Sequence, residues 1–383
     1  MGRLGLWSVA AAFTTVMALG TVPAPLWPLY ALSPTRVTVA FAAMVAGVAF
    51  GLSFLGDWSD RFGRRPMVTF AVLTACAAAA TMAVWPQFPG LLIGRVLTGI
   101  GSGVMASTAS TYLTELARGA PVAATVSAAA SLGGTALGPL VAGALAQWAP
   151  RPLLTPYVVF VALTALAAAL VSRVPETVTP VAARGDRFLL RAGRRRVFAG
   201  AATLAFSAFA ILGMFSSVGS LLVRGELHYE QPWVWALATF VVLCASAVVQ
   251  FAFATQPSAR LLTLGLPVTP AGFGLLIVAL YHPSLPLYLA GSVLAGAGAG
   301  LLFKAAIAAA IDAAAPSARA GVLAAFFTIA YAGMGIPAVL LAVAIHQMPQ
   351  REAIALFGVA IAAMSLLAAA LQRAATRTLE PAT

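Results

Sequence analysis

Acidic residues are scarce in this sequence, and none lies in the middle of a long apolar segment. The 383 residues include ten Asp and Glu, and each of the ten falls in a connection or at the end of such a segment. Charged residues of both signs make up only 8% of the chain, whereas a soluble domain carries about 25%. This composition excludes an ordinary soluble globular protein.

Residues that carry enzyme chemistry are also few. The two cysteines, Cys76 and Cys244, lie inside apolar segments, so neither a disulfide framework nor a thiolate metal site is expected. The sequence has no glycine-rich nucleotide loop, no metal-ligand spacing and no pairing of a nucleophile with a base. We therefore expect no enzyme, no catalytic residue, no metal and no cofactor.

Apolar segments long enough to cross a bilayer fill most of the chain. Hydrophobic residues make up 61% of it, and a membrane-spanning helix needs about 20 of them in succession. The segments that meet this test cover approximately residues 6–30, 37–56, 67–85, 90–114, 121–148, 153–172, 198–222, 233–254, 261–281, 286–311, 320–346 and 353–372. The sequence predicts an all-α membrane protein with twelve transmembrane helices.

Arginines are distributed unevenly between the connections on the two sides. If the N-terminus is cytoplasmic, sixteen arginines lie inside and four lie outside. Cytoplasmic loops carry an excess of Arg and Lys, so both termini are expected in the cytoplasm. The net charge of +12 then follows from membrane topology, and no nucleic acid partner is expected.

The chain repeats itself at an offset of 197 residues. The segment 94–103 matches 291–300 at six of ten positions, and Glu115 falls on Asp312. We predict an N-terminal six-helix bundle at 1–173, a basic cytoplasmic linker at 174–197 and a C-terminal six-helix bundle at 198–383. Both bundles have the same orientation, an arrangement that permits alternating access by rocking.

The connection after the second segment carries two spaced glycines, two acids and three arginines. Six of these residues form what we call the signature loop: Gly56, Asp60, Arg61, Gly63, Arg64 and Arg65. This loop resembles the signature motif of the major facilitator superfamily, and the resemblance extends over nearly the whole chain. It implies two pseudo-symmetric six-helix bundles and a conformational latch. An Arg fork can hold a carboxylate of a neighbouring helix, and Glu115 is the carboxylate that we nominate.

Two further segments are similar to motifs of the same family. Arg95 and Gly99 match the second motif. The resemblance implies that Arg95 faces the cavity, where it holds the first span or influences proton binding. The alternative is that the Arg95 side chain snorkels to the outer surface. A glycine- and proline-containing stretch resembles the third motif, which is associated with antiporters: Gly134, Gly138, Pro139 and Gly143. Close helix packing is the plain alternative for that stretch.

Three other features remain candidates. Lys304 lies within the tenth segment, where it either faces a substrate cavity or snorkels to the surface. Asp312 is a candidate for the same cavity or for coupling. Trp27 and Tyr30 are expected in an outer aromatic belt.

The resemblance implies a secondary active transporter that moves small organic molecules by alternating access. Efflux by proton antiport across a bacterial inner membrane is the preferred interpretation, and a facilitator or importer of a small metabolite is the alternative. Expected partners are a small-molecule substrate, protons and the lipid bilayer, with the chain acting as a monomer. The missing mid-span acid opposes the antiport interpretation, because proton-coupled transporters usually place a carboxylate within the membrane.

Overall fold

The computed structural model describes residues 2–56, 58–117, 119–178 and 188–377. These residues are almost entirely helical, and the one β contact among them is an isolated bridge between Leu190 and Ala314. Of the predicted linker, residues 179–187 lie outside the described ranges.

Twelve long helices follow one another along the described chain. Their bounds are α1 Gly2–Thr21, α2 Pro34–Phe54, α3 Arg64–Val84, α4 Phe88–Leu116, α5 Ala120–Ala128 continued through the π-helical turn Ala129–Gly133 into Gly134–Trp148, α6 Thr155–Val171, α7 Arg195–Ser217, α8 Pro232–Ala252, α9 Ser258–Tyr281, α10 Leu285–Ala313, α11 Arg319–Gln347 and α12 Gln350–Arg377. Short helical pieces adjoin them at Ala24–Tyr30, Trp58–Phe62, Gly219–Gly225 and Pro316–Ala318.

Length and hydropathy allow eleven described helices to cross a membrane. The remaining long helix, α6, is apolar but has only 17 residues. That length is at the lower end of what spans a bilayer core, about 17–25 residues. The predicted all-α, twelve-helix membrane architecture is confirmed.

The chain folds into two compact units. The first comprises Met1–Ala183, Ser217–Arg224 and Tyr229–Phe240, and the second comprises Arg184–Ser216, Gly225–His228 and Val241–Thr383. Each unit has its own apolar core, formed around α1, α3 and α4 in the first and around α7, α10 and α11 in the second.

The helix bounds follow the repeat of the sequence. Helix α10 begins and ends 197 residues after α4, and both helices have 29 residues. Helix α9 likewise ends 197 residues after α3. The repeat is therefore a repeat of helical elements as well as of residues.

Glycines at equivalent positions make close helix contacts in both units. A Cβ on Gly99 of α4 would overlap the carbonyl oxygen of Met44 in α2, and a Cβ on Gly296 of α10 would overlap the carbonyl oxygen of Val242 in α8. Two residues after Gly99, a Cβ on Gly101 would come 2.9 Å from the carbonyl oxygen of Ala71 in α3. The glycine-rich segment thus packs α4 against two neighbours at once, and Gly99 lies at a helix contact.

We predict that Gly99→Ala lowers thermal stability, because the backbones of α2 and α4 must separate to admit the methyl group. Overpacking of this kind costs about 1–3 kcal/mol. Gly274→Ala in α9 is the matched control, since a Cβ there meets nothing within 4 Å. Melting followed by size-exclusion chromatography in detergent should show a lower Tm for Gly99→Ala alone; equal melting of the two variants would contradict the packing account.

Candidate functional site

Arg64 is the centre of the signature loop. Its Nη1 lies 2.7 Å from Asp60 Oδ1 and donates a hydrogen bond to Ser59 Oγ at 2.7 Å, and its Nε lies 3.2 Å from Glu115 Oε1. The short helix Trp58–Phe62 presents Ser59 and Asp60, while the last turn of α4 presents Glu115. The structure therefore brings together Asp60, Arg64 and Glu115, the residues nominated from the sequence.

The turn into α3 requires Gly63. Its φ is +98°, a backbone conformation that residues with a side chain rarely adopt. A Cβ at this position would also lie 2.5 Å from Glu176 Oε2. The Glu176 carboxylate uses that space to accept hydrogen bonds from the backbone N–H groups of Arg64, at 2.9 Å, and Arg65, at 3.0 Å.

Glu176 thus caps the N-terminus of α3, where an anion is favoured by the unpaired N–H groups and the helix dipole. The next residue, Thr177, donates a hydrogen bond from its hydroxyl to Glu115 Oε2. Tyr112 of α4 donates to the carbonyl oxygen of Pro175 at 2.6 Å. Residues 175–177, which follow α6, are therefore hydrogen-bonded both to the start of α3 and to α4.

Arg64 differs from the other two loop arginines in its surroundings. Its side chain is 11% exposed, whereas Arg61 and Arg65 are exposed. Exposed ion pairs contribute only about 0–1 kcal/mol. A nearly enclosed guanidinium that loses a carboxylate keeps an uncompensated charge, which is far more costly, so the Arg64 contacts act as a unit.

Gly56 lies at the end of α2, where its carbonyl oxygen accepts a hydrogen bond from Ser59 Oγ at 3.2 Å. A Cβ on Gly56 would crowd the carbonyl oxygen of Leu52 at 2.6 Å. The residue therefore lets the chain leave α2 and turn at once into the helix that carries Ser59 and Asp60.

Arg95 is enclosed by protein within the first unit. Its residue is 1% exposed, and its Nη1 donates a hydrogen bond to the carbonyl oxygen of Gly20 at 2.8 Å. Its guanidinium lies 5.8 Å from the ring centres of both Trp27 and Phe41. Burial is inconsistent with snorkelling to the surface, and the contact with Gly20 supports the alternative that Arg95 holds the first span.

The first span is broken by prolines, and side chains satisfy the carbonyls that the break frees. Helix α1 ends at Thr21, before the 3-10 helix Ala24–Tyr30. Besides the bond from Arg95 to Gly20, the carbonyl of Ala24 accepts from Ser220 Oγ and that of Pro28 from Arg224 Nη1, both at 2.7 Å. Such partners are what allow helix breakers within a span.

The placement of Trp27 in an outer aromatic belt was wrong. Trp27 is 1% exposed because the turn at the break folds its ring inward, against Arg95. Tyr30 is partly buried and donates its hydroxyl hydrogen to Tyr157 Oη at 2.9 Å. Neither ring lies on an open belt.

The antiporter-like stretch packs on the first span. A Cβ on Gly134 would overlap the carbonyl oxygen of Thr14, and a Cβ on Gly138 would overlap that of Ala18. Thr21 donates a hydrogen bond to the carbonyl oxygen of Thr135 at 2.8 Å. These contacts follow a π-helical turn, a feature frequently found at functional sites.

The rest of that stretch continues the same helix. Pro139 lies inside the second part of α5, and a Cβ on Gly143 would come 3.0 Å from the carbonyl oxygen of Pro232 in the same unit. Small residues thus permit close backbone contact along two faces of α5.

In the second unit, Lys304 lies within α10 and is partly exposed. It has no hydrogen-bond or ion-pair partner within the described part of the chain. Its neighbour Phe303 packs against Phe209 of α7, at 5.0 Å between ring centres, and against Phe326 and Phe327 of α11, at 6.0 and 6.1 Å. A cation without a described partner therefore lies inside a membrane-spanning helix, next in the sequence to a residue of an aromatic cluster.

Asp312 is far from Lys304 along α10 and lies in the last turn. Its Oδ2 is 2.9 Å from Arg194 Nη1, and its Oδ1 is 3.5 Å from Arg191 Nη1. The carboxylate is thus engaged by the linker and is not directed at Lys304.

Glu176 and Thr177 were missed from the sequence. Both lie in the predicted linker, and no local pattern marks an acid after α6 as the cap of α3. The available signal was indirect: the N-terminus of α3 has no acid of its own and needs an acceptor.

Comparisons with known proteins give a consistent result. The family model described as "Major Facilitator Superfamily" matches residues 4–269. The chain is 32% identical over 113 residues to the arabinose-proton symporter of Bacillus subtilis, which covers 30% of this chain and 24% of the relative. It is 40% identical over 83 residues to human organic anion transporter 3, covering 21% and 15%. The matched parts therefore span less than a quarter of these relatives' lengths.

Solved structures match over the whole length. The human organic anion transporter MFSD10 superimposes with a TM-score of 0.69 at 16% identity, covering 97% of this chain and 99% of that chain. A POT family transporter in complex with 5-aminolevulinic acid gives a TM-score of 0.79 at 12% identity, covering 98% and 96%. At these identities the likeness concerns the fold alone.

Proposed function

Because the chain belongs to the major facilitator superfamily, we propose that it exports small organic molecules by alternating access in exchange for protons. The chain is a multi-pass membrane transporter of small molecules and not an enzyme. The direction of transport, the coupling ion and the kind of substrate are the parts that we propose.

The Arg64 contacts carry the proposal. Alternating access requires an element with two arrangements, one of which is held by specific contacts. Arg64 ties the signature loop to the end of α4 through Asp60 and Glu115. Loss of those contacts releases the signature loop from the end of α4, while their restoration holds the loop there.

Glu115 is the group that we propose for the proton. It is acidic, lies where water can reach it, and contacts both Arg64 and Thr177. Protonation removes the charge that Arg64 binds, so proton uptake and release of the loop become one event. This scheme needs no carboxylate in the middle of a span.

Export is supported by the packing of α5 on α1. Gly134 and Gly138 bring the two backbones into contact directly after the π-helical turn. A helix with a hinge against the first span is what the antiporter-like motif implies.

A facilitator or importer with the same fold is the second candidate. The described acids all lie at helix ends or in connections, an arrangement that favours transport without protons. The similarity to an arabinose-proton symporter supports a different form of this candidate, an importer coupled to protons.

We further propose that the substrate is anionic. Lys304 is a cation inside α10 that follows Phe303 in the sequence, and a charge within a span without a described partner marks a substrate or ion pathway by default. An aromatic anion would match both features. The similarity to two organic anion transporters is compatible with this choice.

The excess of arginine on one side supports a topology with both termini in the cytoplasm of a bacterial cell. The signature loop and Asp312 then lie on the cytoplasmic side of the inner membrane. We propose that the monomer is the functional unit.

Direction and coupling can be tested by flux into proteoliposomes with three probes whose charge does not change with pH. The probes are the cation ethidium, the neutral sugar arabinose and the anion benzenesulfonate. Antiport predicts protein-dependent uptake that is faster when the interior is acidic. Faster uptake with an acidic exterior, or uptake indifferent to the gradient, would contradict antiport and support the second candidate. Protein-free liposomes provide the background.

We predict that Asp60→Asn slows turnover by at least about tenfold, equivalent to about 1.4 kcal/mol in the limiting barrier, while the protein remains in the membrane. The variant removes the charge that lies 2.7 Å from Arg64. Glu230→Gln is the control, since its carboxylate is 70% exposed and pairs with Arg224 at another site. Normal turnover of Asp60→Asn would remove the latch from the account.

We predict that Lys304→Gln raises the apparent KM for benzenesulfonate by about tenfold or more, because a hydrogen bond to a charged group contributes about 1.5–3 kcal/mol. Lys304→Arg keeps the charge and should retain most of the affinity. Unchanged kinetics in Lys304→Gln, or no protein-dependent flux of benzenesulfonate, would refute the anionic substrate.

A further inference from the structure

The last turns of α4 and α10 carry equivalent acids that have different partners. Asp312 follows Glu115 by the 197 residues that separate the two helices. Glu115 is bound by Arg64, whose equivalent in the second repeat is Leu261, a buried apolar residue. The first turn of α9 therefore lacks the arginine that the first turn of α3 supplies.

The arginine next to Leu261 is Arg260, in the first turn of α9, and it is engaged elsewhere. Arg260 donates from Nη1 to Gln256 Oε1 at 2.9 Å. It forms no ion pair with an acid in the described ranges. The signature loop consequently has no counterpart in the second repeat, although Asp312 stands at the position equivalent to Glu115.

The linker provides what the connection lacks. Arg194 lies 2.9 Å from one oxygen of Asp312 and Arg191 lies 3.5 Å from the other. A turn, with the N–H of Arg194 donating to the carbonyl of Arg191 at 3.1 Å, directs both guanidinium groups to the same carboxylate.

Backbone contacts hold the same stretch on α10. The N–H of Arg191 donates to the carbonyl of Ala313, and the N–H of Ala315 donates to the carbonyl of Leu189, both at 3.0 Å. The first bond satisfies a carbonyl at the end of α10, where no intrahelical donor remains. The antiparallel bridge between Leu190 and Ala314 completes this contact.

Apolar packing adds a third kind of contact. Leu190 packs against the core of the second unit. The ring of Phe188 meets Phe198 of α7 edge to face, with 5.5 Å between ring centres and 78° between planes. A passive tether would show none of these contacts, so this end of the linker is a built part of the second unit.

We propose that Arg191 and Arg194 are positioning residues that replace the missing signature loop of the second repeat, by binding Asp312 at the end of α10. The other end of the linker does the corresponding work in the first unit, where Glu176 and Thr177 bind α3 and Glu115. Both acid-bearing helix ends are thus bound by the linker, each within its own unit. This inference does not depend on the direction or substrate of transport.

Trypsin tests the proposal without a transport assay, because it cleaves after the arginines concerned. Cleavage follows the population of opened backbone when opening is fast. In native membrane vesicles that expose the cytoplasmic face, Asp312→Asn should speed cleavage after Arg191 and Arg194 by about threefold to fivefold, the range expected for loss of exposed ion pairs. Fragment masses identify the cleaved bonds.

Glu115→Gln is the matched control, since it removes the equivalent acid of the first unit and leaves Asp312 intact. Cleavage that is unchanged in Asp312→Asn, or accelerated equally in Glu115→Gln, would overturn the proposal. The charge exchange Arg194→Asp with Asp312→Arg should restore the protection after Arg191 that Asp312→Arg alone abolishes; the bond after Arg191 is the readout because the exchange removes the site at Arg194. Should the exchanged variant fail to reach the membrane, Asp312→Glu must keep the wild-type cleavage rate for the proposal to stand.

Discussion

A charged side chain in a bilayer must reach water or be enclosed by protein, and the ionic contacts of this transporter depend on that constraint. Glu115 and Asp312 lie in the last turns of α4 and α10, where arginines from connecting segments bind them. Arg95 takes the other solution, since it is buried against Gly20 and two aromatic rings. Lys304 is partly exposed and has no hydrogen-bond or ion-pair partner within the described part of the chain, which is why it is our candidate for binding the substrate.

Arginine serves two purposes in the first unit. At the signature loop, the fork of Arg64 holds two carboxylates and a hydroxyl. At the broken end of the first span, Arg95 and Arg224 satisfy carbonyls that prolines have released. Several donors on one planar group allow both uses, and each joins segments that are distant in the sequence.

The twelve helices could be predicted from the sequence, because apolar length encodes them. The resemblance of the signature loop to a family motif led to Glu115 as its carboxylate, but it did not show which of the three arginines binds Glu115. The role of Glu176 could not be predicted, since its partners in α3 lie more than 100 residues away in the sequence and are backbone groups. The burial of Trp27 was missed because aromatic residues near a predicted surface suit a belt equally well. The partners of Asp312 could not be predicted either. Repeat symmetry would place its arginine at the start of α9, whereas the arginines that bind it come from the linker.

The central claim is that Arg64 and Glu115 act as one unit, and a double-mutant cycle on turnover tests it most directly. Arg64→Gln, Glu115→Gln and the double variant are compared with the wild type in proteoliposomes. Our account predicts that the double variant is no slower than the slower single variant, because either change alone already breaks the contact. Multiplication of the two single effects would show that the residues act independently and would contradict the account.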